Sequence, residues 1–126
     1  MPLSKVGFFR ELRHGSKDGP SINDYRRHSP QHNEPRIVQY LNVAVTLATT
    51  GSVVDDALDA TKKAIAPLEI ATDGIWVWPR DLAYYVRNYH VVLPPEFVEH
   101  MRKCSWNPAS LSREDLIRIE EAFLAN

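Results

Sequence analysis

One short stretch in the middle of the chain constrains the fold more than any other. Two apolar runs, 68–72 and 75–78, are separated only by the Asp-Gly pair at 73–74, which tolerates the positive φ angles of a two-residue type I′ turn. We therefore predict a β-hairpin in which Ala71 faces Trp76. Both faces of this ribbon are apolar, so we expect other parts of the protein to cover each face.

Three helices are predicted after the hairpin. Pro79 suits the first turn of a helix, and an apolar pattern at i, i+3, i+4 and i+7 follows it. Two more helices are expected, one at about 96–104 and one that begins at the Ser-x-x-Asp capping box of Ser112. The residues expected to face the core are Leu82, Tyr85, Val86 and Tyr89 in the first helix, Phe97, Val98 and Met101 in the second, and Leu116, Ile119 and Phe123 in the third.

The first third of the chain contains a long polar segment. A candidate edge strand at 5–12 precedes it, and residues 13–35 are mainly Gly, Pro, Ser, Asn and His. Connections of this length are usually functional or disordered. We therefore predict a polar loop or mobile arm at about 13–35.

A helix is predicted to follow the polar segment. Pro35 suits its first turn, and apolar residues recur at helical spacing as far as residue 48, shortly before Gly51. Residues 43–48 also alternate between apolar and less apolar positions, as a strand would, but we favour the helix. A second Ser-x-x-Asp sequence at 52–55 predicts a short helix that ends near Asp59.

The predicted elements, short strands with one tight hairpin and four to five helices, make up one α+β domain covering residues 1–126. The chain is 44% hydrophobic and 25% charged, and its formal net charge of −1 argues against a dedicated nucleic-acid or membrane-surface binder. A single cysteine excludes an intramolecular disulfide and suits the cytoplasm. The uncharged stretch 37–54 is long enough to span a membrane, but it carries too many polar residues, so we interpret it as buried protein.

The sequence contains none of the common catalytic signatures. It has no Gly-rich phosphate loop, nucleophile elbow, HExxH or CxxC motif, so enzymatic activity stays open but is not favoured, and we expect no cofactor. His100 and Cys104 stand four residues apart and could pair as base and thiolate, although a structural role is favoured. His28 and His32 have a metal-compatible spacing, but the intervening Pro30 would break the helix that aligns them.

Aromatic and basic residues give the best candidates for binding. Trp76, Trp78 and Tyr84 belong to a cluster of aromatics of the kind that forms either interface hot spots or a small core. Tyr84 lies one step off the predicted core face, which favours an exposed contact. Arg26 and Arg27 could form a basic patch, although a solvated loop is favoured over RNA binding. The predicted contact residues are Trp76, Arg80, Tyr84 and Arg87, with Arg26 and Arg27 as second choice.

Several strings of residues resemble a known group of proteins. The strings are Val6-Gly7-Phe8-Phe9-Arg10-Glu11-Leu12, Gly19-Pro20-Ser21, Tyr40-Leu41, Thr72-Asp73-Gly74-Ile75-Trp76-Val77-Trp78-Pro79, Asp81-Leu82-Ala83-Tyr84-Tyr85-Val86, Tyr89-His90-Val91, Leu93-Pro94 and Phe97. Together they are similar to a family of small bacterial proteins that is common in actinobacteria, and they cover most of the chain. Some members resemble cytoplasmic immunity proteins, which neutralise a cognate toxin. The resemblance implies no catalytic residues, and Pro67 departs from its pattern by interrupting the expected strand.

Two hypotheses of function follow. The first is a non-catalytic, cytoplasmic module that binds another protein through one face and resembles an immunity protein. The unequal charge of the two parts of the chain, +3 for residues 1–40 and −4 for residues 41–126, would steer such a partner. The alternative is a small-ligand-binding protein or enzyme with a pocket near Trp76 and Trp78, to which Glu69 and the His-rich segment would add polar groups.

Overall fold

Within residues 3–125, a four-stranded mixed sheet and four α-helices make up the fold. The computed structural model describes residues 3–125. The strands are β1 (Ser4–Lys5), β2 (Val45–Val54), β3 (Ala66–Thr72) and β4 (Trp76–Pro79). The helices are α1 (Glu34–Val43), α2 (Leu82–Tyr89), α3 (Pro95–Lys103) and α4 (Arg113–Leu124), and a single 3-10 turn lies at Ile22–Asp24. The predicted α+β class is confirmed.

The sheet is covered on both faces, as its apolar pattern predicted. Its strand order is β1-β4-β3-β2, with β1 parallel to β4 and the other pairs antiparallel. Successive side chains of a strand point to opposite faces. Ala71 and Trp78 therefore pack with the buried residues of α1, α2 and α3, whereas Ile70 and Val77 pack with Ile119 of α4.

The hairpin exists, but its predicted register was wrong by two residues. Thr72 pairs with Val77 rather than with its predicted neighbour Ile75. The Asp73 carboxylate accepts the backbone N–H groups of Ile75 at 3.0 Å and Trp76 at 2.7 Å, so residues 73–76 close a longer loop. Because side chains alternate with a period of two, this even shift leaves each residue on its predicted face.

The prediction of a helix as far as residue 48 was wrong. Helix α1 ends at Val43, Ala44 is extended with ψ 151°, and residues 45–54 pair with β3. The alternation of apolar and less apolar residues predicted this segment better than the helical spacing did. Pairing of the segment with the buried strand β3 outweighs a weak helical preference. The helix predicted from 52–55 to Asp59 is also absent, because residues 52–54 complete β2 and a loop follows.

The predicted strand at 5–12 is much shorter than expected, although it is an edge strand. β1 stops at Lys5, and Gly7 has a φ of 80°, which takes the chain out of the extended conformation. A Cβ at Gly7 would lie 2.7 Å from Leu82 Cδ2, so this turn lets the backbone approach α2 closely. The polar segment at about 13–35 is anchored in the core by Ile22, which is fully buried.

The three later helices agree with the sequence pattern in most respects. Leu82, Tyr85 and Val86 are fully buried, and the Ser112 capping box is present with both of its hydrogen bonds. The prediction that Pro79 lies in the first turn of a helix was wrong, because Pro79 ends β4 and α2 begins three residues later. Phe97, Met101 and Ile119 are buried, whereas Tyr89, Val98, Leu116 and Phe123 are only partly buried.

Candidate binding cleft

An open cleft of about 710 Å³ lies where α1, α2 and β3 meet. Apolar side chains of Val38 and Pro67 form part of its wall, and its polar side includes Glu69. Three of the predicted contact residues, Arg80, Tyr84 and Arg87, also line it. We call this site the Arg87 cleft, after the arginine at its rim.

Arg80 is held in place by the C-terminal end of α1. Its Nη1 donates to the carbonyl oxygens of Leu41 at 3.2 Å and Asn42 at 3.0 Å, and its Nη2 donates to Thr46 Oγ1 at 2.8 Å. Its Nε lies 3.4 Å from Glu69 Oε1. The guanidinium therefore donates to carbonyl oxygens at the end of α1, sharing that of Leu41 with Trp78 Nε1, and it is fixed rather than free to follow a ligand.

Tyr84 is fixed through its hydroxyl group. It donates to Asp56 Oδ2 at 2.8 Å, and Tyr89 donates to the same oxygen at 2.7 Å. Asp56 Oδ1 accepts the backbone N–H groups of Leu58 and Asp59, so this carboxylate joins α2 to the loop after β2. Burial and the hydrogen bond to Asp56 raise the pKa of Tyr84 to about 12, so its hydroxyl remains a donor to Asp56 even at alkaline pH.

Arg87 differs from both of these residues. Its side chain is exposed and makes no hydrogen bond or ion pair with any of the residues 3–125. The neighbouring Asn88 is also exposed and donates its side-chain amide to the Tyr84 carbonyl at 2.9 Å. The cleft thus combines a rigid interior with one uncommitted cation at its rim.

The second-choice residues border this site. The guanidinium carbon of Arg26 lies 4.9 Å from the ring centroid of Tyr89. The Arg27 guanidinium donates to the carbonyl oxygens of Asp24 and Arg26. Both arginines line a smaller cleft of about 510 Å³ that shares Asn88 with the Arg87 cleft. The two groups of predicted arginines therefore lie on adjoining parts of the surface.

Trp76 and Trp78 are not brought to the Arg87 cleft. The Trp76 ring stacks on Phe97 with centroids 4.6 Å apart, and Trp78 is fully buried with its Nε1 donating to the Leu41 carbonyl. Both rings belong to the core packing on the α1–α3 side of the sheet or lie against it. Of the predicted contact residues, Trp76 is therefore the one that the fold separates from the others.

His100 and Cys104 do come together, but not as a relay. His100 Nε2 lies 3.8 Å from Cys104 Sγ and 3.4 Å from Asp73 Oδ2. In a catalytic relay of this kind, one ring nitrogen of the histidine faces the thiol and the other faces the carboxylate. In this structure the same nitrogen of His100 faces both groups. The Asp73 carboxylate also accepts the Tyr40 hydroxyl at 2.6 Å, which gives it a structural role in the hairpin.

Two further observations concern metals and membranes. Within residues 3–125, no group of three or more His, Cys, Asp and Glu side chains is arranged to hold a metal ion, and His28 and His32 are exposed. None of the helices in this part of the chain is sufficiently long and apolar to cross a membrane.

Sequence reasoning missed Asp56 as an organising residue of the site. The available signal was chemical: Tyr84, Tyr85 and Tyr89 lie on one short helix, and partly buried hydroxyl groups need acceptors.

Comparison of the chain with known protein families, with curated proteins and with solved structures gives no match in any of the three.

Proposed function

We propose that this protein is a non-catalytic, cytoplasmic protein-binding module that holds an acidic segment of its partner in the Arg87 cleft. The observation that carries the proposal is the exposed Arg87, which has no partner among the described residues and stands beside two rigidly held side chains, Arg80 and Tyr84. A preorganised site that leaves one charge uncommitted is suited to recognition of an acidic group.

The other titratable groups in the cleft favour binding over proton transfer. Glu69 Oε1 accepts a hydrogen bond from Thr46 at 3.1 Å and pairs with Arg80, and the Tyr84 hydroxyl is committed to Asp56. A general acid or base has to exchange its proton with a substrate, and groups engaged in this way are poorly placed to do so. The apolar wall at Val38 and Pro67 would contact the rest of the bound segment.

The resemblance to immunity proteins makes the proposal more specific. Such a partner would be a toxin, and the protein would act by covering part of its surface. Electrostatic steering would come from Arg87 together with Arg26 and Arg27, whose cleft adjoins the Arg87 cleft at Asn88.

Affinity capture from a lysate of the source organism tests the proposal. The bait is used as wild type, as Arg87→Ala and as Arg113→Ala, because Arg113 is an exposed arginine on α4, across the sheet from the cleft. The two variants change the net charge equally. We expect one partner at near-stoichiometric amounts with wild type and Arg113→Ala, and its loss with Arg87→Ala. Equal capture by all three baits would refute the role of the cleft.

The immunity hypothesis has its own test. The captured partner is expressed alone and together with this protein in a bacterial host. Growth arrest by the partner alone, relieved by wild type but not by Arg87→Ala, is the expected result. A partner that is harmless when expressed alone would refute the immunity hypothesis while leaving the binding module intact.

A further inference from the structure

The structure contains a third cleft, of about 350 Å³. It is formed by the segment before the polar loop, the end of β2 and the start of α2, and it shares no lining residue with the Arg87 cleft. We call it the Asp81 cleft, after the carboxylate that lines it at the start of α2.

Asp81 is buried without a partner. The residue is 3% exposed, yet its side chain makes no hydrogen bond or ion pair with any other residue of 3–125, and only its own backbone N–H stabilises the carboxylate. The other buried carboxylate in this cleft, Asp56, is fully engaged by two tyrosines and two backbone N–H groups. A buried carboxylate that no other residue engages is costly, because burial removes it from most of its water.

The surroundings of Asp81 are predominantly acidic. Glu11, Asp55 and Asp56 line the same cleft, and the single basic side chain among the lining residues is the exposed Arg13. Glu11 is committed to the polar segment, since its carboxylate accepts the Ser21 hydroxyl at 2.6 Å and the Ile22 N–H at 2.8 Å. Glu11 also pairs with Arg10 at 3.7 Å and Asp55 pairs with Lys63 at 3.6 Å, so Asp81 is the acceptor still available to a ligand.

The remaining wall of the cleft is apolar. It includes side chains of Leu12, Val53, Val54 and Ala57. We propose that the Asp81 cleft binds an organic cation, an ammonium or guanidinium group at the end of an alkyl chain, with the cation donating hydrogen bonds to the Asp81 carboxylate and the chain lying against the apolar wall. A charge-assisted hydrogen bond to Asp81 would supply the partner that the fold does not. A lysine or arginine side chain of another protein, or a free amine, has this chemistry.

Titration of the ¹⁵N-labelled protein at pH 7.5 and low salt tests the proposal. The probes are butylammonium and butylguanidinium, with butanol as a neutral control of similar shape and CaCl₂ as an inorganic cation. We expect saturable shifts of the Leu12, Ala57 and Tyr85 amide signals with at least one organic cation and not with butanol. Equal shifts with butanol, or shifts with calcium alone, would overturn the proposal.

Two variants locate the binding group. Asp81→Asn should weaken binding by about tenfold or more, because the charged acceptor is lost. Glu120→Gln makes the same change of charge at an exposed position on α4 and should leave binding unchanged. Loss of binding in both variants, or in neither, would contradict the assignment to Asp81.

If Asp81→Asn does not fold, a measurement on the wild-type protein tests the proposal instead. The pKa of the Asp81 carboxyl is measured by NMR titration with and without saturating butylammonium. The other charged and titratable groups that line the cleft are Glu11, Arg13, Asp55, Asp56 and Tyr85. Burial raises the pKa of Asp81 to about 6. A cation bound at the carboxylate must lower that pKa by linkage, and an unchanged value would refute the site. A lysine peptide and a free alkylamine, compared in the same experiment, distinguish the two sources of the cation.

Discussion

Replacement of Arg80 by methionine should destabilise the fold severely, although the residue borders a cleft. Methionine keeps much of the aliphatic length but removes the guanidinium. The Leu41 and Asn42 carbonyls and Thr46 then lose a donor, and Glu69 loses its ion-pair partner.

The magnitude follows from the burial of these groups. Removing one member of a buried charged network costs about 3–5 kcal/mol. The Glu69 side chain is 23% exposed, so water can solvate part of its charge, and we reduce the expected loss to about 2–4 kcal/mol. For a chain of this size, such a loss lowers the Tm by about 10 °C. Arg80→Lys should lie between the two, because an ammonium keeps the charge but cannot reach all of these acceptors at once.

Urea denaturation followed by circular dichroism measures these differences. Arg87→Met is the matched control, because Arg87 is exposed and unpartnered within residues 3–125, and we expect a change within about 0.5 kcal/mol. A loss of less than about 1 kcal/mol for Arg80→Met would refute a structural role for the hydrogen bonds of Arg80 to the end of α1 and to Thr46.

Three further predictions test other parts of the account. Asp56→Asn should cost about 2 kcal/mol in urea denaturation, because an amide nitrogen cannot accept the hydrogen bonds that one carboxylate oxygen receives; an unchanged midpoint would contradict this role. Gly7→Ala should lower the Tm more than Gly51→Ala, since both residues have positive φ but only Gly7 would place its Cβ against Leu82, at 2.7 Å; equal losses would contradict the close approach. Burial raises the pKa of Asp81 to about 6, above the 3.8 of an ordinary aspartate, so the folded state binds more protons between these values. The free energy of unfolding should therefore contain a contribution that decreases as the pH rises from about 4 to 6, and Asp81→Asn should remove it; identical pH profiles would refute the assignment.

The parts of the fold that the sequence predicted are those fixed by local chemistry. The existence of the hairpin, the Ser112 capping box and the apolar face of α2 depend on neighbours within a few residues, and all three are confirmed, although the two-residue Asp-Gly turn is not. The end of α1 was missed because residues 43–48 satisfy two periodicities, and only their pairing with β3 decides between them. The hairpin register was missed because the Asp73 side chain, rather than the turn type, sets the loop length.

The candidate site was predictable only in part, for a similar reason. Arg80, Tyr84 and Arg87 were found because they lie on or beside one short helix, where spacing determines which side chains share a face. Asp56 and Asp81 were not found, because their importance depends on contacts between segments that are distant in sequence. The burial of an unpaired carboxylate is a property of the folded chain and leaves no mark in the spacing of residues.

The most direct test of the central claim is the affinity of the captured partner for wild type, Arg87→Ala and Arg113→Ala, measured by isothermal titration calorimetry at two salt concentrations. We expect Arg87→Ala to bind about tenfold more weakly or worse, because a charge-assisted contact is lost, and to show a smaller dependence on salt. Arg113→Ala should match wild type. Equal affinities for all three proteins would contradict recognition through the Arg87 cleft.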